Sequence, residues 1–385
     1  MTVLESLRDD ETYLAALAIR DWAASRNLLR RGGTLPATGG PAAGTATASA
    51  AAFSAAVEAA EPAGLSALER ISITAVGVNP KRRTVVIYTP RRLTKKAQAA
   101  LPSSLTGGLS VEFRQAKPVS IGIEGAGQPV LAGSEGGWSV GTPYPCGSSI
   151  GMANTRMAGT FGALVRGEDG ALFGLSNNHV TGGCSNARPG LPILAPGVLD
   201  VTADGPSPFC IGRHHGVLPM VQGFPGMVNI ADNTDAALFA IEDPRRVSSM
   251  QGDVYDTPSA VADPEVDMVV EKVGRTTGHT VGVVEAAMAG EFPVSYTIVA
   301  YHGPDEEVRF NGLVYFTPVF KIDGQDGPFS LSGDSGSLVV GKDASGRRAA
   351  VGLVFAGLAP DESYMLPLRP ILERFGVTLV SGHNA

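Results

Sequence analysis

The chain has 385 residues, a formal net charge of −7, 44 % apolar and 17 % charged side chains. That length exceeds one small core and implies two or three folded units, while 49 glycines and 27 prolines exclude a long-helix architecture and favour turn-rich β structure. No apolar run reaches ~18 residues, so no membrane partner is expected. Met1-Thr2-Val3-Leu4-Glu5 lacks the basic-then-apolar layout of a secretory signal, which makes the cytoplasm the expected compartment.

Residues 1–31 read as an N-terminal helical segment, because Leu4, Leu7, Tyr13, Leu14, Leu17, Trp22 and Leu28 recur at three- to four-residue spacing. Residues 32–65 are Ala/Gly/Pro-rich and read as a linker, with a short helix near Phe53–Ala60. Residues 66–118 read as a small α+β domain of their own. Its predicted strands are Ile71–Val78, Thr84–Tyr88 and Leu109–Phe113, with a helix over Thr94–Leu101. Ten basic residues face only Glu69 and Glu112 in this stretch, a net of +8. Such a unit is expected to dock on the acidic remainder of the chain. Tyr88 and Phe113 offer few rings for stacking, so nucleic acid is not the expected partner.

From about residue 150 short β-runs alternate with turn residues: Gly162–Val165, Leu172–Leu175, Ala236–Ile241, Met268–Val273, Val281–Glu285, Leu313–Phe316, Ser337–Val340 and Ala350–Phe355. This spacing predicts a sandwich or barrel, closed by a helix over Pro370–Phe375. Cys146, Cys184 and Cys210 are too few for a disulfide framework. No His/Cys cluster has metal-ligand spacing, and His214-His215 reads as a solvated turn, so neither metal nor cofactor is expected.

Three stretches carry chemistry. In Leu331-Ser332-Gly333-Asp334-Ser335-Gly336-Ser337 a serine stands between glycines that permit a tight turn. Its hydroxyl becomes a nucleophile only if a base takes the proton and donors hold the oxyanion; the amides of Gly333 and Ser335 are the candidate oxyanion hole. Leu172-Phe173-Gly174-Leu175-Ser176-Asn177-Asn178-His179 ends a β-run on a histidine, a candidate base on a rigid mount. In Asn233-Thr234-Asp235-Ala236-Ala237-Leu238-Phe239 a carboxylate opens an apolar strand, where it needs a partner such as an imidazole N–H. Asp232 competes for that role; Asp235 is preferred because it directly precedes the apolar run.

The order His179, Asp235, Ser335 in these contexts resembles the chymotrypsin-like (trypsin-fold) serine peptidases. Ala158–Gly162, the hairpin-like Val273–Gly282 and Gly352–Gly357 are similar to further stretches of that family, and Leu-Ser-Asn-Asn-His-Val resembles the bacterial and plant intracellular peptidases of the NARROW LEAF type. The resemblance spans residues 150–375. It implies a mainly β fold of two six-stranded antiparallel barrels, the first supplying His179 and Asp235 and the second Ser335. It also implies a protein or peptide substrate. Phe329, six residues before the serine, and Phe355-Ala356-Gly357 would wall a charge-free specificity pocket, giving cleavage after apolar residues. No activation-cleavage signature is present, so Asp334 must find a partner other than a newly freed N-terminus. The alternative is a binding or scaffold protein of the same fold, its triad held unproductively.

Overall fold

The computed structural model describes residues 7, 9–29, 51–57, 62–105, 107–122, 143–203, 207–303, 305–358 and 362–385. Most of the 32–65 linker therefore lies outside the described residues, apart from a helical turn over 51–57 and the start of helix Pro62–Ile71. The architecture is mainly β, as expected. Six antiparallel strands close on themselves: Val269–Gly274, Leu338–Lys342, Arg348–Leu358, Glu362–Pro367, Phe320–Gly324 and Gly278–Met288, with the last pairing back to the first. The other half is an eight-stranded antiparallel sheet, curled rather than closed. Its central strands Ala163–Gly167, Leu172–Ser176, Ala237–Ile241 and Phe209–Val217 stand side by side. The chain returns to it at the end: after helix Leu368–Phe375, capped by Gly376 in the left-handed region, Val377–Leu379 pairs with Ala163–Gly167. One apolar core joins the inner faces of barrel and sheet through Leu175, Leu238, Leu338, Leu353 and Phe355.

The N-terminal helix is Glu11–Ser25. Asp10 caps it by accepting from the amides of Thr12 and Tyr13. Tyr13, Ile19 and Trp22 are buried, and Trp22 meets Phe53 edge-on at 4.9 Å. The basic unit forms the strands Ala75–Asn79, Thr84–Thr89 and Leu109–Gln115 and a helix Lys95–Ala99 capped by Thr94. It does not stand apart: Gly77 and Val78 pair with Met288 and Ala287, so one sheet runs from the barrel into it. Val76, Val85 and Ile87 share a core with Val284, Phe320 and Met365 of the barrel. Ion pairs span the same seam, Lys81 to Glu265 and Arg82 to Asp267 at 2.9 Å each, and Arg114 to Glu285.

A long hairpin, Phe292–Gly303 with Glu306–Phe316, is inserted between barrel strands Gly278–Met288 and Phe320–Gly324. The short strand Val119–Ile121 joins it in parallel, Ile121 opposite Tyr296. Along Phe292–Gly303 the alternate residues Phe292, Val294, Tyr296, Ile298 and Ala300 are buried, which places this face of the hairpin over the core between barrel and sheet. His214-His215, read as a solvated turn, lies instead within the strand Phe209–Val217, with His214 buried and His215 against Phe173. Among the described residues no helix is long and apolar enough to cross a membrane.

Candidate active site

The histidine and aspartate are brought together by neighbouring strands of the curled sheet. Strand Leu172–Ser176 pairs with Ala237–Ile241, Ser176 opposite Ala237, so the residues just beyond each end meet. Asn177 ties the two segments by donating from Nδ2 to the Asp235 carbonyl at 2.6 Å. His179 then sits in the short helix Asn178–Thr181, 2 % exposed, and Asp235 is fully buried. Oδ1 of Asp235 accepts from the His179 amide at 3.0 Å, and Oδ2 lies 2.6 Å from Nδ1 of the ring. A third donor, the Tyr296 hydroxyl, reaches Oδ2 at 2.9 Å. Asp232 is exposed and accepts from Asn229; the two candidate carboxylates thus occupy opposite environments.

Ser335 comes from the other half, on the loop before barrel strand Leu338–Lys342. It is half-buried and lines one cleft with His179, Ser332, Gly333, Met157, Leu199 and Ile121. Gly333 and Gly336 have φ of +100° and +96°, a region L side chains rarely adopt, and a Cβ on Gly333 would stand 2.0 Å from Nη1 of Arg275. The carbonyls of this loop are pinned one after another. Thr276 Oγ1 donates to Ser332 at 2.7 Å, Thr160 Oγ1 to Gly333 at 2.9 Å, Ser337 Oγ to Asp334 at 2.7 Å, and the Thr160 amide to Ser335 at 2.8 Å. In a trans peptide the N–H points opposite the C=O, so fixing the carbonyls of Ser332 and Asp334 aims the amides of Gly333 and Ser335 the other way.

Asp334 is fully buried. It accepts from the amides of Thr276, Thr277 and Leu331 at 2.8, 3.2 and 2.9 Å and from Thr277 Oγ1 at 2.8 Å, with Lys272 Nζ at 3.7 Å. This is its partner set in place of a chain terminus. Burial pushes the Lys272 ammonium below its ordinary range, opposed by the neighbouring Asp334. Arg275 is also buried, held by Nε donating to Asp200 Oδ2 at 2.7 Å and by a second bond to Oδ1.

Of the four residues expected to wall a specificity pocket, three are buried. Phe329 is 1 % exposed in the barrel core, Phe355 is fully buried with its edge on Phe316 at 5.1 Å, and Ala356 is 3 % exposed. Only Gly357 is half-buried, next to Ser330, whose Oγ and amide bond to Ser363 Oγ at 2.7 and 3.0 Å. None of the four lines the cleft shared by His179 and Ser335. Sequence reasoning also missed Tyr296, Lys272, Thr276 and Thr160. For Tyr296 the signal was the near alternation of apolar residues at Phe292, Val294, Tyr296, Ile298 and Ala300. The three cysteines are free thiols, and among the described residues no cluster of His, Cys, Asp or Glu could hold a metal.

Compared with known proteins, the chain matches no family model. It is 26 % identical over 232 residues to Protein NARROW LEAF 1 of Oryza sativa subsp. japonica, covering 55 % of this chain and 36 % of that one; it thus spans about a third of that relative's length. Among solved structures it is similar, at TM-scores of 0.38 and 0.37, to Thermobifida fusca protease A and to a glutamic-acid-specific serine protease that uses a histidine triad in substrate binding. These are 16 % and 18 % identical, covering 63 % and 61 % of this chain and 100 % of each of theirs.

Proposed function

We propose that this chain is a serine endopeptidase, with Ser335 as nucleophile, His179 as general base and Asp235 as its orienting carboxylate. One observation carries the reading: the His179 ring, bound through Nδ1 to buried Asp235, lines the same cleft as Ser335. An ionised carboxylate can only accept, so the bond at 2.6 Å leaves the hydrogen on Nδ1 and the lone pair on Nε2. Nε2 takes the Ser335 proton as Oγ bonds to the substrate carbonyl carbon. The amides of Gly333 and Ser335 receive the negative oxygen. The imidazolium then gives its proton to the leaving amine, an acyl-enzyme remains, and water reverses the sequence to release the acid.

The residue before the scissile bond is proposed to be apolar. The cleft beside Ser335 is lined by Ile121, Met157, Ala158 and Leu199 together with Arg156, so an apolar side chain finds contacts there while a Lys or Arg would lose water without gaining a partner. Three free thiols fit a reducing compartment, which supports a cytoplasmic setting. A fluorophosphonate probe tests the central point, because it labels only an activated serine. Labelling is expected on Ser335 and lost in Ser335→Ala; an unlabelled, folded protein points to a binding or scaffold role instead. Peptide-library cleavage read by mass spectrometry tests the preference, and dominant cleavage after Arg would sink it.

A further inference from the structure

A carboxylate buried as completely as Asp235 is costly unless donors replace its lost water. Three do so here: the amide and ring of His179, and the hydroxyl of Tyr296. The third comes from outside both halves of the site, from the inserted hairpin, 61 residues on in sequence. We propose that Tyr296 is a positioning residue of the active site: its hydroxyl locks the Asp235 carboxylate in the rotation that serves His179 and shares the charge on the oxygen facing the ring. The proposal rests on the reading of His179 as general base.

The geometry makes this more than the satisfaction of a buried phenol. Tyr296 donates to Oδ2, the oxygen that also faces Nδ1, while Oδ1 is taken by the His179 amide. With both oxygens engaged from two directions the carboxylate has no free rotation. The phenol ring lies 5.7 Å from the imidazole and is braced by Phe310 and Phe316 at 6.4 and 6.2 Å. Its strand is held on one side by Gly312 and on the other by Ile121, itself a wall of the cleft. Burial first, and then the Asp235 charge, hold the phenol far above its ordinary pKa, so it keeps its proton throughout and acts only as a donor. The ionisable groups around Asp235 are His179, Tyr296 and the buried Cys184 thiol, whose pKa is raised by burial and then by Asp235.

The test is Tyr296→Phe, which removes one oxygen and keeps the ring. A hydrogen bond to a charged group is removed, so kcat is expected to fall about tenfold or somewhat more with KM within about twofold. Without the phenol the carboxylate concentrates its charge on the ring, so the imidazolium is favoured and the acid limb of the pH–rate profile moves up. The same upward move is expected in the His179 titration followed by NMR in the Ser335→Ala background. That readout needs no turnover, so it decides the role of Tyr296 even if the wild-type protein hydrolyses nothing and the peptidase reading itself fails. Phe310→Leu loosens the brace without touching the hydroxyl and is expected to leave the acid limb in place. An unchanged His179 titration and acid limb in Tyr296→Phe would overturn the proposal, as would an equal move in Phe310→Leu.

Discussion

Around Ser335 the backbone is what is held, whereas around His179 the side chains are. The Ser335 loop is set by donors from Thr160, Thr276 and Ser337 to its successive carbonyls and by Asp334 accepting from three nearby amides. The His179 ring is set by a carboxylate just before the adjacent strand, and that carboxylate by a tyrosine from an inserted hairpin. The difference follows from what each group must do. An oxyanion site is made of peptide N–H groups, so peptide planes must be fixed. A base must present one ring nitrogen, so a ring must be fixed, and here a buried carboxylate side chain holds its far nitrogen.

If the two halves work as one unit, removing either chemical group removes nearly all the catalysis. Ser335→Ala and His179→Ala are each expected to lower turnover about 10⁶-fold, and the double variant little further. A double variant far below either single one would mean that the halves act separately. One step down, Asp235→Asn keeps the shape but puts an N–H donor where Nδ1–H must be accepted, with an expected loss of about 10⁴. Asp232→Asn, at the surface, is expected to cost nothing measurable in the same assay; a larger loss there would reverse the choice of carboxylate.

The halves were unequally legible in the sequence for the same reason. Gly333 and Gly336 mark a loop whose backbone enters the left-handed region, and that requirement is written locally. His179 and Asp235 could be singled out because each stands at the end of an apolar run, and the register Ser176 opposite Ala237 brings those ends together. Tyr296 could not, because alternation tells which face a residue takes but not which atom its hydroxyl meets. Lys272 is a charge in a strand, buried where its Nζ donates to Thr277 Oγ1 and the Gly278 carbonyl and faces Asp334, 62 residues away, and no local pattern encodes that last partner. Phe355 stands in the barrel strand Arg348–Leu358 and Phe329 in the loop after Phe320–Gly324, and the depth at which each is buried depends on packing that their local sequence does not encode. The strands of the basic unit were legible to within a few residues. Its union with Gly278–Met288 was not, since pairing across some two hundred positions leaves no trace in composition.

The nucleophile loop can next be loosened without touching its chemistry. Asp334→Ala leaves Lys272 as a fully buried cation whose carboxylate is gone, a situation that typically costs about 3–5 kcal/mol of stability. It also frees the amides of Thr276, Thr277 and Leu331. Activity is expected to fall about 10²- to 10³-fold, the scale of a lost oxyanion donor. Lys272→Met removes the charge and keeps most of the volume, and should be milder in both respects. Thermal unfolding beside steady-state kinetics separates the two; equal losses in both variants would show that the ion pair, rather than the amide bonds to Asp334, sets the loop.

The smallest expected effect isolates a single peptide plane. Thr276 Oγ1 donates to the Ser332 carbonyl at 2.7 Å and accepts from Arg275 Nη1 at 2.9 Å. Thr276→Val is close in shape but lacks the hydroxyl, so the Ser332–Gly333 peptide loses the bond that keeps its carbonyl turned away from the cleft. The Thr276 amide still bonds to Asp334, the Gly333 carbonyl still has Thr160, and Arg275 still has Asp200. One lost neutral bond of about 1 kcal/mol corresponds to roughly a five- to tenfold loss. The loss should fall on kcat rather than KM, because the Gly333 amide is needed most when the oxygen becomes negative. Thr276→Ser restores the hydroxyl and should recover most of the rate. Should Val and Ser behave alike, the plane is held by its neighbours and the carbonyl pins around Ser335 are redundant; should Val cost 10²-fold or more, this one hydroxyl governs the oxyanion site.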